Sequence, residues 1–95
     1  MREVYELKAA FAAKAQELLG KDDLVSRQSI YARTAASLGM KGDATYLIFD
    51  GSDAALRQAD RLISGMAAKT KNKDAVLKMF DEIESASAQG MGLLG

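Results

Sequence analysis

Apolar residues recur at three- and four-residue spacing along most of this chain, the period of a helix with one buried face. Val4, Leu7, Phe11, Ala15 and Leu18 draw the first such stripe, with Glu3, Lys8, Lys14 and Gln16 off it. The spacing predicts a helix over 2–19, with Gly20 placed for a left-handed C-cap. A second helix is predicted from Asp22 or Asp23 to about Leu38, burying Leu24, Tyr31, Ala35 and Leu38 with Ile30 beside them. Its middle, Ser26-Arg27-Gln28-Ser29, is poor in apolar residues and leaves room for a loop before Ser29. A third helix over 53–68 carries Leu56, Ala59, Ile63 and Met66 on one stripe, with Leu62 beside it. A fourth starts near Lys73 or Asp74, shows Val76, Met79, Phe80 and Ile83 on one face, and stops at Gly90.

One segment breaks this period. Ala44-Thr45-Tyr46-Leu47-Ile48-Phe49 is the strong β signal, with Tyr46 and Ile48 on one face and Thr45, Leu47 and Phe49 on the other. Both faces carry apolar bulk, as in a strand covered on both sides. Asp50-Gly51-Ser52-Asp53 then reads as a tight turn followed by a helix cap. The expected fold is therefore mainly α: a single domain over 1–95 in the order α-α-β-α-α, with 90–95 as an apolar flexible tail. A lone strand has no ladder partner, so the expectation pairs it antiparallel across a homodimer. The alternative is a small α+β domain with a second strand near 24–30. Aligning 21–39 with 72–90 gives too few identities for an internal repeat.

Composition narrows the function. Much of the 48% hydrophobic content is alanine, and three Tyr and three Phe are the only aromatic residues. Alanine buries little area, so a monomer gains modestly from burial at roughly 25 cal/mol per Å², and association would add what is missing. Net charge is zero and balanced along the chain, which gives no basic field for nucleic acid or anionic membrane. Without cysteine or histidine the chain has no thiolate nucleophile, no disulfide and no imidazole base or ligand. No apolar run approaches the roughly 20 residues of a membrane span, and no secretory h-region opens the chain. A cytoplasmic protein is expected.

Chemistry-bearing constellations are few. An aspartyl-phosphate site at Asp50 needs a second carboxylate two residues on, where Ser52 stands. A calcium loop there lacks the spaced oxygens and the distant glutamate. The predicted helix start at Ser52 and Asp53, with Arg57 and Arg61 one and two turns in, is a candidate anion site. The same arginines and the Lys69–Lys73 loop give the alternative function, a small nucleic-acid or anion-binding protein, although no aromatic residue lies in that loop for base stacking. Asp81, Glu82 and Glu84 read as a solvated helix face.

Ser29-Ile30, Leu38-Gly39, Gly42-Asp43, the strand, Gly51, Asp53 and Leu56 resemble the second half of histidine-containing phosphocarrier proteins. The resemblance implies a short helix with a regulatory serine, matched by Ser29, before a Gly-Asp turn, a strand and a long helix. It spans a minor part of the chain and rests on small, common residues. The family's phosphorylated histidine has no counterpart here, which removes phosphocarrier activity, and the family opens with a strand where 2–19 reads as helix. The resemblance is therefore set aside. The expected role is a non-catalytic protein–protein interaction or assembly module, homodimeric or part of a larger complex, without a cofactor or metal. Its expected interface is Tyr46, Leu47, Ile48, Phe49, Leu93 and Leu94.

Overall fold

Residues Arg2–Lys8 form a strand, β1, not the first turns of a helix. Tyr5 and Leu7 face one side of the sheet and Val4 the other, and all three are buried. A strand covered on both sides loses its polar–apolar alternation, and Val4 with Leu7 then imitates a helical i,i+3 pair. The helix that follows, α1 (Ala9–Lys21), buries Ala15 and Leu19, while Phe11 is exposed. Gly20 lies inside its last turn with Asp22 as the C-cap, and positive φ occurs at Gly39 and Gly42 instead. The computed structural model describes the backbone of residues 1–94 and the side chains of residues 1–85.

The predicted second helix does not form. The Asp22 carboxylate instead accepts the Val25 N–H that opens a 3-10 turn, Val25–Arg27, and the chain then runs extended through β2 (Ser29–Thr34). The alternative strand near 24–30 thus misplaces β2, which starts only at Ser29. A second 3-10 turn, Ala36–Leu38, closes at Gly39 in the left-handed region with φ 73°. The chain re-enters the sheet as β3 (Ala44–Asp50), continues through α2 (Asp53–Ile63) and β4 (Ala67–Lys69), and ends in α3 (Lys73–Leu94). The predicted third helix therefore stops at Ile63, and the last residues assigned to it form β4.

The four strands make one antiparallel sheet in the order β2-β3-β1-β4. On one face Tyr5, Leu7, Leu47 and Phe49 pack with Ala15 and Leu19 of α1 and Leu56, Ala59 and Ile63 of α2. On the other, Val4, Tyr46 and Ile48 pack with Leu38 and with Val76 and Phe80 of α3. The domain is α+β, and the mainly α reading with one strand is wrong. β3 pairs with β1 over Arg2–Lys8 and with β2 over Ser29–Thr34. Both its edges are filled within the chain, so β3 does not pair across a homodimer. The expectation of a flexible apolar tail over 90–95, and of Leu93 and Leu94 as interface residues, lies outside the described side chains.

Candidate functional site

Tyr46, Leu47, Ile48 and Phe49, expected at an interface, are core residues no more than 4% exposed. Their backbone groups are spent on two ladders and their side chains on two apolar layers.

At the start of α2, Ser52 is the N-cap, and its hydroxyl accepts the Ala55 N–H at 3.1 Å. The Ser52 N–H donates to Gln28 Oε1 at 3.2 Å. That approach requires Gly51, since a Cβ there would stand 2.2 Å from Gln28 Oε1 and 2.9 Å from Gln28 Cβ. Asp53 pairs with Arg57 one turn on. Asp60 accepts the Tyr5 hydroxyl and lies 3.6 Å from Lys69 Nζ. Burial and the carboxylate of Asp60 both push the Tyr5 hydroxyl pKa up, so Tyr5 holds its proton. Lys73 lies 3.8 Å from Glu3. The candidate anion residues thus share one helix, but Ser52 and Asp53 are committed to its cap and to Arg57. Arg61 is exposed on the same helix. Lys69 belongs to β4 and not to a loop.

Asp22 joins three elements. Its carboxylate accepts from the Val25 N–H at 2.9 Å, the Leu24 N–H at 3.0 Å and Gln58 Nε2 at 2.8 Å. The Val25 hydrogen bond, then that of Gln58, holds its pKa below the usual aspartate value. A depressed folded-state pKa gives stability that is complete above the ordinary aspartate range and lost as pH falls through the folded value. Asp22→Ala is expected to lower stability at neutral pH. The gap between variant and wild type should close in acid. Urea melts at descending pH check this, and a gap that widens in acid would contradict it.

An open cleft of about 650 Å³ lies at one end of the sheet, lined by Leu7, Lys8, Phe11, Asp43, Gly65 and Met66 among others. It faces the start of α1, which has no side-chain cap and no acidic residue in its first turn. No buried side-chain polar atom is left without a partner, and no cluster of three metal-ligating residues occurs, among the described residues. The polar residues that line the cleft are Glu6, Lys8, Asp43 and Ser64.

The outer edge of β2 is the exposed feature the spacing did not reveal. The Ala35 N–H donates to the Ala44 carbonyl directly opposite at 2.9 Å. Antiparallel ladders alternate, so Arg33, Tyr31 and Ser29 also bond to β3 while Ile30, Ala32 and Thr34 turn their N–H and C=O outward. No strand lies beyond them among the described residues. Beside this edge Tyr31 is 40% exposed, and its ring lies 5.2 Å from that of Phe80. The Arg33 guanidinium lies 5.7 Å from the Tyr31 ring and 5.4 Å from the Phe80 ring, and it pairs with Glu84 at 3.1 Å. The opposite edge, β4, is three residues long and ends at Lys69, with Lys71 and Lys73 following. Shortness and lysines are how edges are commonly protected, and β2 has neither. The signal available in the sequence was Ile30-Tyr31 after an apolar-poor gap, ending in Thr34, a run of strand-forming residues diluted by Ala32 and Arg33.

Comparison with protein-family models, with curated proteins and with solved structures gave no match to this chain. The partial resemblance to phosphocarriers changes in two particulars. The chain does open with a strand, and a short 3-10 turn does precede Gly42-Asp43, but Ser29 lies on β2 and not on that turn. No helix of the described residues is long and apolar enough to cross a membrane.

Proposed function

We propose that this domain is a non-catalytic protein–protein interaction module of the cytoplasm, which binds by adding a partner's strand to the outer edge of β2. The observation that supports this reading is the outward ladder face of Ile30, Ala32 and Thr34 beside exposed Tyr31: no strand pairs with it among the described residues, and only side chains touch it, Arg33 Nη1 donating to the Ala32 carbonyl and the Ser37 hydroxyl to the Thr34 carbonyl. Strand addition gives affinity through main-chain hydrogen bonds and specificity through the alternate side chains. Such a module needs no titrating group. The carboxylates of Asp22, Asp53, Asp60 and Asp81 are engaged in caps and ion pairs, which suits a structural role for them. The cytoplasmic placement rests on the cysteine-free composition.

Amide hydrogen exchange at a dilution where the protein is monomeric tests the edge. The Ile30, Ala32 and Thr34 amides are expected to exchange far faster than those of Tyr31 and Arg33, which bond to β3. Equal protection of both sets in the monomer would mean that the chain covers its own edge, and the reading would fall.

A further inference from the structure

Resting on the β2 reading, we infer that the partner strand is β2 of a second copy of this chain, with Ala32 on the two-fold axis. The outward-turned residues are symmetric about that position. Ile30, Ala32 and Thr34 turn outward, so an antiparallel copy centred on Ala32 sets Ala32 against its equivalent and Ile30 against Thr34. Every outward N–H of β2 then meets an outward carbonyl; those of Ala32 and Thr34 already accept from Arg33 Nη1 and the Ser37 hydroxyl and take the partner's N–H on their second lone pair. A copy displaced by one residue would set outward groups against groups already bonded to β3. An isologous contact closes on itself and yields one eight-stranded sheet running through both molecules.

The side chains agree with this register. Tyr31 falls opposite Arg33 of the partner subunit, and Arg33 opposite Tyr31 of the partner subunit, in the non-hydrogen-bonded positions where side chains approach closest. Within one chain Arg33 already lies beside two aromatic rings, so the cross pairs repeat a contact that the fold tolerates. The two Arg33 residues sit two positions apart along the joined strands, diagonal and not directly opposed, and each has its own Glu84 beside it. At the axis Ala32 is small and half-buried, and at the ends Ile30 meets Thr34, both branched at Cβ. The six residues carry one charge, and it is answered within the chain by Glu84. A second copy is therefore matched in hydrogen bonding, bulk and charge at each of the positions that meet.

Sedimentation equilibrium over a dilution series from millimolar to low micromolar tests this with three variants. Wild type is expected to dimerise reversibly. Ala32→Pro removes an N–H that points away from β3, a position where an edge strand accepts proline, and is expected to be monomeric throughout. Tyr31→Lys and Tyr31→Glu lose the same ring, so their difference reads charge alone. Lysine opposes Arg33 of the partner subunit and glutamate attracts it, and the lysine variant should have a dimer dissociation constant roughly tenfold the higher. Helical circular dichroism establishes that each variant is folded before its mass is read. If Ala32→Pro does not fold, the charge pair decides alone. A folded wild type that stays monomeric at millimolar concentration overturns self-pairing. A dimer indifferent to the sign of residue 31 overturns it too. Fast exchange at Ile30, Ala32 and Thr34 in that monomer leaves strand addition with another protein standing, whereas protected amides remove both readings.

Discussion

Ile48→Asp is expected to leave no cooperative unfolding transition, because it places a carboxylate in the layer between the sheet and α3. Ile48 is 1% exposed and packs with Val4, Leu38, Tyr46, Val76 and Phe80. Losing its burial removes roughly 1.5–3 kcal/mol. Desolvating an unpaired carboxylate, or protonating it to escape, costs several kcal/mol more. The total approaches the ~5–15 kcal/mol that holds a typical domain together. Thermal melts followed by far-ultraviolet circular dichroism check this. A folded, soluble Ile48→Asp monomer would place β3 at a surface, as a lone strand pairing across a dimer would require, and would contradict the sheet order described above.

Phe49→Ala tests the other layer. Phe49 is among the largest fully buried side chains and points toward α1 and α2. Its truncation is expected to cost about 3–5 kcal/mol, the transfer free energy of the ring plus the cavity it leaves. In a domain of this size that corresponds to a fall in melting temperature of at least about 12 °C. In urea the midpoint should drop with the slope unchanged, since the surface exposed on unfolding stays nearly constant. Phe11→Ala is the matched control. Phe11 is 42% exposed although the helical stripe claims it for the core, and its loss is expected to cost under ~1 kcal/mol. Equal losses at the two positions would mean that α1 packs through Phe11, as the spacing suggests, and not through Leu19.

The strands missed in the sequence were hidden in different ways. β1 and β3 are covered on both sides, so neither alternates cleanly. β3 was legible because six consecutive residues form strands well and are bounded by Gly42-Asp43 and Asp50-Gly51. β1 was not, because Glu3 and Glu6 break its run and Val4 and Leu7 continue in register with the true helix behind them. β2 was hidden by alanine and arginine, and β4 is three residues of Ala-Ala-Lys that acquire strand geometry only by pairing with Tyr5–Leu7. Caps fared better. Ser52 was readable as one of two candidate caps because capping is a local bargain between a side chain and the next turn. The partner of the Ser52 N–H, Gln28, lies 24 positions away and was not readable.

The sequence by itself determined the elements whose signals are local: a strand at 44–49 with two apolar faces, the capped start of α2, the buried stripe of Leu56, Ala59 and Ile63, and a helix carrying Val76 and Phe80. It also excluded cysteine and histidine chemistry, which depends on having those residues at all. Only the tertiary structure decided which strands are strands. Pairing energy is contributed by a neighbour distant in sequence, and a segment with a weak preference of its own takes the conformation that satisfies the neighbour's edge. For the same reason only the fold could show that β3 is closed on both sides and that the edge left open belongs to β2.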